Sequence, residues 1–417
     1  MKIHPIAATS PGLTRRGVLA GAAALAAAIR GRPAGAAQVL RIGLLNDQSG
    51  PYVDDGGPGS VVCARQAIAE FAADAGLAVD LLVADHQNKP DEGVGIARRW
   101  IDQGVDVVMD IQGSAIALAL AGLMHERDKV LLVCNAGVVD LTGKACTPNT
   151  VHLSYDNYML AHAIGTALVQ AGGDTWFFIT ADYAFGHSMQ TETSRFVTAA
   201  GGRILGAVAL PFPSTDFSSA LIQAQASGAK VIGLANAGTD MEACIKQAAE
   251  FGVTQGGVRL APMLMQITRV HSVGLASAQN CVVANVFYWD ANERTRAFTG
   301  RILPRMPHGH HPNMSQASCY SAVLHYLKAV REIGVPAAKA SGAAVVAQMK
   351  AMPLQDDVYG HASIREDGRL ICPATLYRVK RPAESRAPWD YYDRIATIPA
   401  EQAWRPLAEG GCRLVRS

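Results

Sequence analysis

The residues best suited to chemistry sit in short loops that follow apolar runs. Gln112-Gly113-Ser114-Ala115 comes directly after the run from Val105 to Ile111 and opens a stretch with helical spacing. Glycine there allows a close backbone approach, and a serine at a helix start stands beside free N–H groups and the positive end of the helix dipole. Ser114 can hold an anionic oxygen, or it can cap its own helix. A second loop, Cys134-Asn135-Ala136-Gly137-Val138-Val139-Asp140, is built of small residues that leave main-chain groups accessible. Together the two loops could seat a carboxylate. Farther along, Thr180-Ala181-Asp182-Tyr183-Ala184-Phe185-Gly186-His187 ends an apolar run with two aromatics, and Ala235-Asn236-Ala237-Gly238-Thr239-Asp240 ends another with an amide. Such residues suit the walls of a site for a small organic molecule. Thr239-Asp240 also reads as a cap for a helix beginning at Met241.

Other chemistry is weighed on the same terms. His308-Gly309-His310-His311 is a candidate metal cluster, but it lies between prolines with no carboxylate or cysteine beside it, so no metal site is expected. His187 can face a ligand or solvent. Asp85 and His86 could be grouped with Ser114 as a hydrolytic triad, yet there is no G-x-S-x-G elbow and the chain order does not suit that fold. No G-x-G-x-x-G opens the first βα unit, which argues against a dinucleotide site. The expectation is a binding protein with no cofactor and no catalytic residues.

The elements that must position these loops alternate in type. Val39 to Asn46, Val79 to Ala84, Val105 to Ile111 and Val130 to Asn135 read as buried strands, separated by helical patterns at Gly59 to Ala75, Asp91 to Gln103 and Ser114 to Arg127. A second series follows Leu153-Ser154-Tyr155-Asp156. Its strands are Trp176 to Thr180, Arg203 to Ala209, Val231 to Ala235 and Leu260 to Met265, with helices near Gly186 to Ala200, Phe217 to Ser227 and Met241 to Phe251. The fold class expected is α/β, with two Rossmann-like lobes of one architecture. In open α/β sheets ligands sit beyond the carboxyl ends of the strands, which is where the loops above fall. After Cys281 to Phe287 come helices at Ser315 to Ile333 and Gly342 to Met352, then a β-rich end and a tail rich in Pro, Arg and Trp.

The chain has 417 residues, 49% hydrophobic and 17% charged, with 37 basic side chains against 35 acidic ones. That composition excludes disorder as the main state and gives no basic cluster of the kind nucleic-acid binding requires. Residues 1–37 carry Lys2, Arg15, Arg16, Arg30 and Arg32 and no acid, so the remainder is mildly acidic. Thr14-Arg15-Arg16-Gly17 before an apolar run from Val18 to Ile29 reads as an export signal of the twin-arginine type, with an ordinary Sec signal carrying two adjacent arginines as the alternative, and either predicts a periplasmic protein. The run is too short to span a bilayer. The cysteines at 63, 134, 146, 244, 281, 319, 372 and 412 form no CxxC pair, and their pairing is not assigned.

Ile42-Gly43-Leu44-Leu45-Asn46-Asp47-Gln48-Ser49-Gly50-Pro51-Tyr52, the later Ala84 to Pro90 segment, Gly113-Ser114 and Ala181 to Gly186 occur in an order that resembles type I periplasmic solute-binding proteins. The likeness is to the leucine/isoleucine/valine-binding branch that serves ABC importers, over nearly all of residues 39–395. It implies lobes of 38–154 with 285–359 and of 155–284 with 360–395, a tail of 396–417, and crossovers near Leu153 to Asp156, Val283 to Asn285 and Tyr359 to His361. It also implies a ligand seat at Ser114, Ala115, Asn135, Ala136 and Gly137 and aromatic contacts from Tyr52, Tyr183, Phe185 and Tyr288; the amide of Asn236, in the loop after Ala235, is a further expected contact. Partners implied are a small solute, an ABC permease and its ATPase, with the binding protein a monomer. Amino-acid binders of this branch place an acid after the strand that here reads Leu260 to Met265. This chain continues Gln266-Ile267-Thr268 instead, which favours an aromatic or aliphatic organic acid over an amino acid. A sensory protein of the same fold and an exported serine hydrolase are the alternatives.

Overall fold

In the computed structural model, residue 1 and residues 38–415 are described; the export signal expected at 1–37 lies outside them apart from its first residue. Among the described residues no helix is long and apolar enough to cross a membrane. The first series runs β1 (Leu40–Asn46), α1 (Gly57–Phe71), β2 (Val79–Asp85), α2 (Pro90–Asp102), β3 (Val107–Gln112), α3 (Ser114–Glu126), β4 (Val130–Asn135) and β5 (Thr150–His152). These strands form one parallel sheet in the order β2-β1-β3-β4-β5. Alternation along β4 shows why the run is continuously apolar. Val130, Leu132 and Cys134 enter the core on one face, while Leu131 and Val133 meet Ile116, Leu120 and Trp100 on the other.

The second series is α4 (Asn157–Gln170), β6 (Thr175–Ala181), α5 (Ala184–Ala199), β7 (Arg203–Leu210), α6 (Ser218–Ala226), β8 (Val231–Ala235), α7 (Gly238–Glu250) and β9 (Arg259–Pro262). Its parallel sheet has the order β7-β6-β8-β9. The last strand ends at Pro262, short of the expected Met265, because the chain turns at residues 263–264 toward the next helix. Helices α8 (Ile267–Val273) and α9 (Leu275–Ala278) then lead to β10 (Val282–Asn285).

The remainder holds α10 (Glu293–Ile302), α11 (Met314–Ile333), α12 (Val335–Ala340), α13 (Gly342–Ala351), β11 (Leu354–Asp356), β12 (Gly360–Ile364), β13 (Leu370–Ile371), β14 (Ala374–Val379), β15 (Tyr392–Ile398) and α14 (Ala400–Ala403). Helix α11 is buried along most of its length and closes the core over β3 and β4. Two boundaries move from their expected places. Gly360–Ile364 pairs with β11 and β13, so the chain reaches the sheet shared by β10, β14 and β15 only at 371–374, later than Tyr359 to His361. The tail begins after Ile398 and not at 396, because Tyr392–Ile398 is an antiparallel partner of β14. Beyond it, a disulfide joins Cys412 to Cys146, while Cys63, Cys134, Cys244, Cys281, Cys319 and Cys372 are buried free thiols.

Candidate functional site

The carboxyl ends of β1, β3 and β4 meet those of β6 and β8 around a small cavity. Strand β3 ends abruptly there. Asp110 and Ile111 have φ of 77° and 55°, a region an isoleucine seldom adopts, and Gly113 follows at 91° where a side chain would be strained. This bend starts α3 at Ser114 with Gly113 as its N-cap, and no side chain caps the helix. The first bond within that turn runs from Ala117 N–H to the Gly113 carbonyl at 3.0 Å, leaving the amides of residues 114–116 without an acceptor inside the helix. Ser114 lines the cavity, and its buried hydroxyl has no protein partner. Ser114 therefore does not cap its own helix.

Asn135, Ala136 and Gly137 line the neighbouring wall. Asn135 takes a hydrogen bond from the Tyr155 hydroxyl at 3.4 Å on Oδ1, while its Nδ2 is buried and unpartnered. Thus two buried donors without partners, Ser114 Oγ and Asn135 Nδ2, belong to residues that line the cavity at the start of α3, where a helix dipole favours negative charge. Gly137 is packed so closely that an added Cβ would lie 2.2 Å from Asn157 Oδ1 and 3.1 Å from the Phe185 ring. Opposite stand Tyr52, Tyr155, Tyr183 and Phe185. Tyr52 and Tyr183 share a hydrogen bond through their hydroxyls, and each stacks on Phe212, with ring centroids 5.4 and 4.8 Å away. Burial pushes the phenols of Tyr52, Tyr155 and Tyr183 above their usual range, so all three are neutral.

Not every expected contact is here. Ala115 is exposed and does not line the cavity. Asn236 is buried behind the wall with both side-chain polar atoms unpartnered, and its neighbour Ala237 lines the cavity instead. Tyr288 is a correction. Its ring packs against Tyr377 and Tyr392 in a separate core, and its hydroxyl donates to the Trp389 carbonyl at 3.2 Å, because β10 directs residues 286–288 away from the cavity. Asp240 does not cap a helix starting at Met241; α7 starts at Gly238, and Asp240 in its first turn accepts the Ser214 N–H at 3.1 Å. His187 pairs with Asp182 at 2.7 Å on the exposed side of α5. Asp85 is held by Ser49 Oγ at 2.5 Å and by backbone amides, and His86 Nδ1 takes the Asn88 N–H, so neither is hydrogen-bonded to Ser114. The histidines at 308, 310 and 311 lie near Trp389 and His271, where His311 stacks on Trp389 at 5.1 Å.

Several contributors were not singled out from the sequence. Gln112 accepts the Asp47 N–H and donates to the Tyr52 carbonyl at 3.0 Å, which holds the loop carrying Tyr52. Its signal was its place directly before Gly113. Tyr155 lies in the segment read as a crossover. Leu264 adds an apolar contact, and Asp55 adds a carboxylate bound to Arg269, one residue beyond the segment read as lacking an acid.

The sequence profile of the periplasmic binding protein family matches residues 39–386. A crystal structure of a periplasmic binding protein from Burkholderia mallei is 41% identical, covers 91% of this chain and 100% of that one, and superposes with a TM-score of 0.86. The chain belongs to the periplasmic binding protein family. This family membership accounts for the parallel sheets and for a cavity at their carboxyl ends. A branched chain amino acid ABC transporter periplasmic ligand-binding protein from Burkholderia xenovorans LB400 is 37% identical, covers 90% of this chain and 99% of its own, and has a TM-score of 0.79. A solute binding protein of an ABC transporter from R. palustris, in complex with benzoate, shares the fold at 20% identity and a TM-score of 0.78, covering 87% of this chain and 97% of that one. The chain spans about 58% of the length of the curated Leu/Ile/Val-binding protein homolog 6 of Brucella abortus that it matches at 22% identity, over 54% of its own length.

Proposed function

We propose that this periplasmic binding protein is the substrate-binding component of an ABC importer. In that role it captures a small carboxylate-bearing solute, an aromatic or aliphatic organic acid, and hands it unchanged to a permease and its ATPase. The observation that carries the ligand class is the pair of buried, unpartnered donors, Ser114 Oγ and Asn135 Nδ2, at the amino end of α3. A carboxylate there would accept from both and from the free amides of the first turn. The facing rings of Tyr52, Tyr155, Tyr183 and Phe185 offer an apolar body with phenolic tips, which fits a flat or branched hydrocarbon tail. The Burkholderia relative named for branched chain amino acids and the benzoate-bound R. palustris protein both belong to ABC transporters, and the second binds an acid of this chemical class.

Two lobes, one built on each parallel sheet, close on the solute in this reading, and the Tyr52–Tyr183 bond is one of the contacts that span them. The same reading has the amino-terminal segment serve as the export signal that delivers the protein to the periplasm. A thermal-shift panel of amino acids, aliphatic acids and aromatic acids on the purified mature chain tests the assignment, since a solute that binds the native state raises its melting temperature. Organic acids are expected to raise it. A shift given only by amino acids refutes the ligand class, and turnover of a bound ester lost in Ser114→Ala refutes the transport role.

A further inference from the structure

Asp55 is the one charged residue among the described residues that line the cavity. Its carboxylate is already engaged. Arg269 Nε donates to Oδ1 at 3.0 Å and Nη2 to Oδ2 at 2.7 Å. Arg269 reaches across from α8, which follows the second sheet, whereas Asp55 lies in the loop between β1 and α1 of the first. The same guanidinium donates to the Pro51 carbonyl at 2.9 Å and to Glu242 Oε1 at 2.6 Å, and it lies 3.7 Å from Asp54. Its side chain is only 1% exposed. All three nitrogens are therefore occupied, and the fork on Asp55 is bidentate, the strongest geometry such a pair adopts. Burial pushes the Asp55 carboxyl upward and Arg269 pulls it back, while burial works against the Arg269 charge and is outweighed by Asp55 and Glu242.

A solute in the cavity thus meets two donors at one end and, at Asp55, a carboxylate whose two oxygens already accept from a guanidinium shared with Glu242 and Asp54. An α-amino acid would bring an ammonium with no free anion to meet it, and a desolvated unpaired charge is strongly disfavoured. We propose that Arg269 sets the charge class of the ligand: by holding both oxygens of Asp55 it withdraws the cavity's carboxylate from the solute, so the site accepts monoanionic acids and rejects zwitterions. This rests on the assignment of the cavity as a carboxylate-binding site.

The test uses matched solutes that differ only by the ammonium, 3-phenylpropanoate against phenylalanine and 4-methylpentanoate against leucine, titrated calorimetrically into the mature protein. The wild type is expected to prefer the acid of each pair by about tenfold or more, and Arg269→Gln to move that ratio about tenfold toward the amino acid. Asp55→Asn in the Arg269→Gln background is expected to cancel the gain. A merely structural role would weaken both members alike and leave the ratio where it was, which overturns the inference. Should Arg269→Gln fail to fold, Arg269→Lys keeps the charge but cannot fork onto both oxygens; an intermediate ratio supports the inference and an unchanged one overturns it. Preference of the wild type for the amino acids also overturns it while leaving the cavity in place. Binding of none of the four solutes, nor of any other carboxylate, overturns the cavity assignment itself.

Discussion

Ser114→Ala separates a ligand seat from a helix cap, because the two roles give opposite signs in the empty protein. Ser114 is 1% exposed and its Oγ meets no protein partner. A hydrogen bond from a hydroxyl to a charged carboxylate contributes about 1.5–3 kcal/mol, so its loss weakens binding by roughly ten- to a hundredfold. Asn135 Nδ2 and the first-turn amides remain, so binding is not abolished. In the absence of solute the same hydroxyl is a buried polar group without a partner, and its removal relieves a cost instead of creating one. The unliganded melting temperature is then expected to hold, or to rise by up to about 3 °C. A cap would behave the other way, since its loss destabilises the empty fold by about 1 kcal/mol. Isothermal titration with the best acid from the panel gives the affinity, and calorimetric melting without solute gives the stability. Affinity within twofold of the wild type, or a fall in the unliganded melting temperature, would refute the reasoning.

Gly137→Ala places a methyl 2.2 Å from Asn157 Oδ1, with Tyr155 and Phe185 close behind, so the walls must separate; overpacking of this kind costs about 1–3 kcal/mol, and titration should show affinity at least about fivefold weaker, with unchanged affinity excluding Gly137 from the site. Burial pushes the Asp110 carboxyl from its ordinary 3.8 up to about 6. The native state holds this proton more tightly than the unfolded chain, so the contribution to stability is full below pH 4, falls as pH rises to about 6, and is flat above. Asp110→Asn should therefore stabilise the protein by about 3 kcal/mol at pH 7.5 and by almost nothing at pH 4. Urea unfolding at both values checks it, and an equal gain at the two would refute it.

Much of the fold was legible because parallel strands buried on both faces read as unbroken apolar runs, as Val130 to Cys134 and Trp176 to Ile179 do. The loops that line the cavity were legible for a related reason, since ligands sit where those runs end. Ser114, Asn135, Ala136, Gly137, Tyr183, Phe185 and Tyr52 all lie on it. Tyr288 was misplaced because the chain direction after β10 depends on its pairing with β14, a partner nearly a hundred residues away. Gly360–Ile364 was misplaced for the same kind of reason. Asp55 and Arg269 carried no local signal, since neither forms a motif and their meaning lies in a contact between distant segments.

The sequence by itself determined the alternation of strands and helices, the turns rich in small residues, and the chemical types available at each loop. These follow from periodicity and local backbone preference, which neighbouring residues encode. Only the tertiary structure decided which hydroxyl was left without a partner, which cysteines met as Cys146 and Cys412, and which carboxylate was tied to a guanidinium from the other sheet. Those outcomes depend on distances between residues far apart in the chain, and electrostatics and hydrogen bonding act through distance, not through order in the sequence.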